Sequence, residues 1–268
     1  MRTAIKRIKA GLLRIDVLGR VPDEEQPRRR RGKRENPTSP AQQFYNEKCS
    51  WRELELTIAA NFAHGDYVVT FTYDDEHLPA DKRAGDRSFQ KFVRKLRTSR
   101  KKQEAELFYV YTTEGWHGKT ADPRFGEDGA LEDRRIHHHA VLNGAGLDAL
   151  EELQSLWHGG GYVRVEPLDV HYYEELAKYL TKEARECGRA RAGERTWKGS
   201  RNLKKYQVEY IEIPMGGVTL APPEGAVDYR PFHARNPYGY ADCIGARYLL
   251  YPSPHRQELT YNQIRRRS

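Results

Sequence analysis

Between Tyr67 and Val165 the chain alternates between two periods of hydrophobicity, and neither an all-helical nor an all-strand fold satisfies both. Tyr67 to Tyr73 is β-branched and aromatic and reads as a strand ending in polar Asp74-Asp75-Glu76. Phe89, Phe92, Val93 and Leu96 then recur at i, i+3, i+4 and i+7, with Lys and Arg on the other face as far as Lys102, a helix that Asp86 can cap. Leu107 to Thr113 and Ile136 to Leu142 are strands by composition, separated by a polar loop from about Gly115 to Asp133. Leu147, Leu150, Leu153 and Trp157 mark a further helix that stops at Gly159-Gly160-Gly161, and Tyr162 to Val165 follows as a short strand. Upstream, Ser50-Trp51-Arg52-Glu53 matches a capping box ahead of Leu54, Ile58 and Phe62, and Gly65 ends that helix. A helix over Val170 to Arg185 closes the series. Strands interleaved with helices in this way suit an α+β fold, a mainly antiparallel sheet with helices on one face and the other face open for a ligand.

The ends read differently. Residues 1 to 45 contain the run Arg28 to Arg31 and four prolines without sustained periodicity, which predicts a flexible basic arm. Residues 46 to 210 hold the folded domain, and residues 211 to 268 form a Gly/Pro/Tyr-rich extension to which no role is assigned. Residues 1 to 36 carry twelve Lys/Arg against five Asp/Glu, so a net of +7 out of the whole chain's +8 lies in the arm. A second basic cluster, Arg185, Arg189, Arg191, Arg195, Lys198, Arg201, Lys204 and Lys205, is the expected grip on a nucleic-acid backbone, with Arg135 beside it in role. No apolar run approaches the roughly 20 residues of a spanning helix, and charges interrupt Ile5 to Val17, so neither membrane nor export is expected. Three cysteines without CxxC spacing argue against a disulfide framework and fit a bacterial cytoplasm.

The segment that carries chemistry is Arg135-Ile136-His137-His138-His139-Ala140-Val141-Leu142. Strand side chains alternate, so His137 and His139 share one face and His138 takes the other. Two imidazoles at that spacing can share one metal ion. Glu114, at the end of the preceding strand, can complete the set if the two strands pair antiparallel. Two His and one carboxylate leave coordination positions open for a substrate oxygen, and mixed N/O ligation admits Mg²⁺ or Mn²⁺ without excluding Zn²⁺ or Co²⁺. On the last helix Tyr173, Leu176, Ala177 and Leu180 form the apolar stripe, Tyr179 lies on its edge and Lys182 just outside it. A phenol with a pKa of about 10 is a weak nucleophile, and a nearby cation such as Lys182 is what attack on phosphorus requires.

These segments resemble the HUH endonuclease superfamily, in particular the rolling-circle replication initiators (Rep proteins) of phages and plasmids, over about Asn46 to Tyr206. Val69-Thr70-Phe71-Thr72-Tyr73 is similar to the first family motif, Arg135-Ile136-His137-His138-His139 to the metal motif, and Lys178-Tyr179-Leu180-Thr181-Lys182 to the tyrosine motif. The resemblance implies an RRM-like or ferredoxin-like fold, His137, His139 and Glu114 as metal ligands, Tyr179 as nucleophile and Lys182 as its assisting lysine. It implies a metal-dependent nick in single-stranded origin DNA, a 5′-phosphotyrosine, and a free 3′ hydroxyl for priming. The central motif residue, bulky and hydrophobic in the family, is His138 here, so the identity of the ligating pair stays open although alternation favours the outer two. Glu175 stands where some phage initiators have a second tyrosine, and Tyr172 is a distant second candidate. No GxxxxGK[ST] loop occurs, so unwinding falls to a host helicase and extension to a host DNA polymerase. The alternatives are an HUH transposase or relaxase, and a non-enzymatic nucleic-acid-binding protein with the same sheet.

Overall fold

The structure is a computed structural model, and it describes residues 2–21, 40–120, 124–125, 131–132, 134–144, 149–183, 195–213, 220–234 and 243–251. It is α+β, with two five-stranded antiparallel sheets and four α-helices among those residues. The chain divides into two compact units, one made of residues 35–204 and the other of residues 1–34 with 205–268.

The larger unit begins with helix α1 (Pro40–Asn61) and continues through β3 (Tyr67–Tyr73), α2 (Lys82–Lys102), β4 (Tyr109–Glu114), β7 (His137–Leu142), α3 (Ala149–Leu156) and β8 (Gly160–Pro167). β1 (Arg2–Ala10) and β2 (Leu13–Val21) lie in the other unit, and β5 (Arg124–Phe125) pairs with β6 (Leu131–Glu132) in the loop before β7. A 3₁₀ turn (Val170–Tyr172), α4 (Tyr173–Leu180) and β9 (Lys198–Gly199) complete this unit. Its sheet runs β8-β3-β7-β4-β9. Omitting β9, the βαββαβ chain order gives spatial order 4-1-3-2, the split βαβ arrangement of ferredoxin-like folds.

Packing follows from alternation along each strand. Val69, Phe71 and Tyr73 of β3, Tyr111 of β4, Ala140 and Leu142 of β7 and Val163 of β8 meet Phe89, Phe92, Val93 and Leu96 of α2 and Leu153 of α3 in one core, which Trp157 joins. Phe71 touches Phe89, Phe92 and Trp157 at ring-centroid distances of 5.4, 4.8 and 5.1 Å, in tilted or edge-on geometries that aromatic quadrupoles favour. The opposite face is not bare. α4 stands over it, packed on α1, with Tyr173 fully buried and its hydroxyl donating to Phe62 O at 2.7 Å. Arg100, also fully buried at the end of α2, reaches Asn143 Oδ1 at 3.0 Å and Glu152 at 3.5 Å, and ties α2 to the end of β7 and to α3.

Several boundaries move from their sequence expectations. α1 starts ten residues before Ser50, on Pro40, whose fixed φ and missing N–H suit a first helical turn. α2 is capped by Asp81, which accepts from Ala84 N at 2.6 Å, and Asp86 lies within the helix, accepting instead from the Tyr111 hydroxyl and Lys198 Nζ.

The largest correction concerns the N-terminal arm. Residues 2–21 form the hairpin β1/β2, which pairs on one side with β10 (Gln207–Glu212) and on the other with β12 (Cys243–Leu250), itself paired with β11 (Ala226–Ala234). The charges that read as an arm are matched across strands. Asp16 receives two 2.8 Å bonds from Arg7 and one of 3.1 Å from the Tyr248 hydroxyl, and Lys9 meets Glu209 at 2.7 Å. Gly11, with φ of 54°, supplies the turn. Residues 22–39, which contain the Arg28 to Arg31 run, lie outside the described residues.

Because a buried guanidinium truncated to methyl leaves its partners uncompensated, Arg100→Ala should lower unfolding stability by about 3–5 kcal/mol. Urea denaturation checks this, and a loss below about 1 kcal/mol would show that the Arg100 contacts carry little.

Candidate metal and tyrosine centre

β7 is the middle strand of the site, and its pairing decides where each histidine goes. Glu114 of β4 lies directly opposite His137, Thr112 and Thr70 flank His139 from the two neighbouring strands, and Thr113 and Phe71 flank His138. His138 is therefore directed into the aromatic core and is fully buried. Its Nε2 is 2.7 Å from the Tyr73 hydroxyl, its Nδ1 is 3.0 Å from Thr113 Oγ1, and the Phe89 ring lies 4.8 Å away. Burial first, and the neighbouring imidazoles second, hold His138 neutral by pushing its pKa well below the usual histidine range. With both nitrogens engaged it fills the place of a large apolar side chain.

His137 and His139 emerge on the other face with ring centroids 4.9 Å apart. Their Nε2 atoms lie 3.8 and 4.0 Å from the same oxygen, Glu114 Oε2. The far nitrogens are anchored, His137 Nδ1 against Arg135 O at 2.8 Å and His139 Nδ1 against Thr70 Oγ1 at 3.0 Å. If each Nδ1 carries the proton and donates it, both Nε2 lone pairs are free to bind an ion, the usual outer-shell logic of metal histidines. Glu114, His137 and His139 each offer a ligand atom within 4.8 Å of the others, and Glu114 Oε1 is buried with no hydrogen-bond partner. A buried unpartnered carboxylate oxygen beside two convergent imidazole nitrogens fits a divalent cation, which would supply the missing partner.

The electrostatics agree with that fit. Burial, and then the nearby Glu183 carboxylate, push Glu114 up to about 7. Burial pulls His139 down to about 4, helped by His137 and Lys182, so its imidazole is neutral at physiological pH. The site is thus strained toward losing negative charge, and a cation relieves it.

α4 brings Tyr179 to the same place. Its hydroxyl is 3.2 Å from His139 Nε2, its ring lies 5.0 Å from the imidazole, and it remains 46% exposed and so open to substrate. The phenol is held above its usual pKa by burial and by Glu114. Lys182 Nζ lies over the Tyr179 ring at 5.5 Å, beside the ring face. Tyr173 is spent on Phe62, and Tyr172 precedes the helix as its N-cap, so Tyr179 is the α4 tyrosine aimed at the cluster.

Sequence reading missed Glu183. Its carboxylate accepts from the Gly115 amide at 2.5 Å and from Lys82 Nζ at 2.6 Å, and so links the end of α4 to α2 and to the residue after Glu114. Gly115 has φ of 83°, and a Cβ there would lie 2.3 Å from Arg135 O, so only glycine permits this crossing. Nothing in the local sequence around Glu183 distinguishes it from a solvated helix-end acid. Of the expected nucleic-acid contacts, Arg135 is held by Asp75 at 2.6 Å, and Lys198 by Asp86 at 2.6 Å. Arg195, Arg201, Lys204 and Lys205 are exposed, while Arg185, Arg189 and Arg191 lie outside the described residues.

Residues 66–184 match the family model of a replication-associated protein, the ORF2 type. The match covers β3 through α4 and includes every residue of the Glu114, His137, His139 and Tyr179 cluster, and it supports a Rep-type replication family and a role in replication initiation. No curated protein and no solved structure gives a significant match. No helix among the described residues is long and apolar enough to cross a membrane.

A carboxyl pKa raised on folding means that the folded state holds its proton more tightly, so Glu114 costs stability as pH rises from the unfolded value through about 7. At pH 8 without metal, Glu114→Gln should therefore stabilise the fold by about 1–3 kcal/mol. The same substitution should abolish the rise in Tm that Mn²⁺ gives the wild-type chain. Thermal melts with and without Mn²⁺ measure both effects, and an unchanged Mn²⁺ response would remove Glu114 from the ligand set.

Proposed function

We propose that this chain is a metal-dependent, tyrosine-nucleophile endonuclease that nicks single-stranded origin DNA to start rolling-circle replication. The observation that carries the proposal is the convergence of the Tyr179 hydroxyl on His139 Nε2, one edge of the Glu114, His137 and His139 cluster. Neither half of that arrangement needs the other for folding, since Tyr179 is half exposed and the histidines do not fill the core.

His137, His139 and Glu114 would hold a divalent cation, with Mg²⁺ or Mn²⁺ suited to the mixed N/O set. Such an ion polarises a phosphate oxygen and offsets charge that develops on phosphorus. Tyr179 supplies the nucleophile. Its oxygen forms a bond to phosphorus in line with the departing 3′ oxygen, the P–O3′ bond breaks, and a 5′-phosphotyrosine and a 3′ hydroxyl result. The phenol proton leaves to solvent through the exposed edge of the ring, and the departing oxygen takes one up. Lys182, close enough to affect Glu114 and His139, adds positive charge where negative charge accumulates. Reversal of the same step by an incoming 3′ hydroxyl rejoins strands and frees Tyr179. Arg195, Arg201, Lys204 and Lys205 would follow the DNA backbone, and a host helicase and polymerase would use the nick.

Tyr179→Phe deletes only the attacking oxygen and keeps the ring against His139, so single-stranded DNA affinity should stay within about twofold while cleavage falls by ~10³-fold or more. Incubation with end-labelled single-stranded DNA of its replicon and Mn²⁺ should give a protein-linked 5′ end in the wild type and none in the variant. A free 5′ phosphate without adduct would indicate attack by water and end the proposal.

A further inference from the structure

Strand β8 carries a feature that the cleavage chemistry does not use. Its pairing with β3 slips between Phe71 and Tyr73, so that Thr72 opposes both Gly161 and Tyr162. This is a β-bulge, which re-aims a side chain and often sits beside an active site. Tyr162 is the residue re-aimed, and its ring is 86% exposed. Its backbone is nevertheless fixed, because the Thr72 hydroxyl accepts from Tyr162 N at 2.7 Å and donates to Tyr162 O at 3.2 Å. Trp157 Nε1 in turn holds Thr72 O at 2.9 Å. A bare aromatic ring on a fixed backbone loses little entropy when something stacks on it.

The position of the bulge gives it a direction. Thr72 belongs to the same face of β3 as Thr70, which holds His139. Arg164, next but one along β8, lies directly opposite Thr70 in the row that contains His139 and Thr112. The charges of Arg164 and Glu166 both act on the Tyr179 hydroxyl, so this strip of β8 reaches the reacting tyrosine. Among the described residues Arg164 is paired with Glu166, at 2.8 Å on an open surface where such a pair is worth little and is readily exchanged for phosphate.

We infer that Tyr162 and Arg164 form a nucleotide platform beside the cleavage centre, Tyr162 stacking one unpaired base of single-stranded DNA and Arg164 contacting its phosphate. The inference rests on the proposed substrate class and names where on the sheet that substrate is held. Stacking on one ring is sequence-tolerant, so the platform grips and positions the strand while contacts elsewhere select the origin. A duplex does not fit, since its bases are already stacked on one another.

The full-length protein and a dT oligonucleotide of about 16 nucleotides carrying a single 2-aminopurine test this, by anisotropy and by quenching of the fluorescent base, with EDTA present so that cleavage plays no part. Tyr162→Ala should weaken binding about tenfold and abolish the quenching at one position along the strand, whereas Tyr162→Phe should match wild type within about twofold. Arg164→Gln should reduce the slope of log affinity against log salt by about 0.7. Unchanged binding and quenching in Tyr162→Ala would overturn the platform even if a Tyr179 adduct forms. If the platform signature is present but no adduct ever forms, the platform stands and the nuclease reading fails.

Discussion

The site depends on the pairing of β7 between β3 and β4. A strand with neighbours on both edges has no freedom of register, and a slip of one residue would exchange every inward and outward side chain. In three successive histidines that exchange would be decisive. His138 now lies among Phe89, Trp157 and Tyr73 with both nitrogens bonded, while His137 and His139 face Glu114. The slipped strand would bury two imidazoles in an aromatic core and leave one outside, with nothing to share an ion. The cost of burying polar rings without partners therefore works for the observed register.

That register is buttressed from both faces. On the core side the bonds from His138 to Tyr73 and Thr113 cross from β7 to β3 and β4. On the other side Thr70 anchors His139, and the Glu183 carboxylate ties the end of α4 to the turn after Glu114. Tyr179 is thus carried by a helix whose end is pinned beside the ligand strand, which keeps its hydroxyl on His139 while its ring edge stays in solvent. The arrangement suits a group that must meet a large, flexible substrate: firm positioning beneath, open access above.

Much of this was legible in the sequence because strand and helix periods speak directly about faces. Alternation alone separated His137 and His139 from His138, helical spacing put Tyr179 on the edge of the stripe of Tyr173, Ala177 and Leu180, and strand composition found β3, β4, β7 and β8 to within a few residues. What stayed hidden depended on partners distant in the chain. Arg7, Asp16 and Lys9 looked like arm residues because their matches, Glu209 and Tyr248, come some 200 positions later. Glu183 looked like a helix-end acid because Gly115 and Lys82 are equally remote. Tyr162 became notable only once the bulge opposite Thr72 was visible, since bulges leave no periodic trace.

The claim on which everything else rests is that the outer histidines, and not the central one, meet a single metal ion. Pulsed electron paramagnetic resonance of bound Mn²⁺ reads directly coordinated nitrogens. The account predicts two imidazole nitrogens in the wild-type chain, two in His138→Phe, and one in either His137→Ala or His139→Ala. Loss of a nitrogen in His138→Phe, with both retained in His139→Ala, would contradict it.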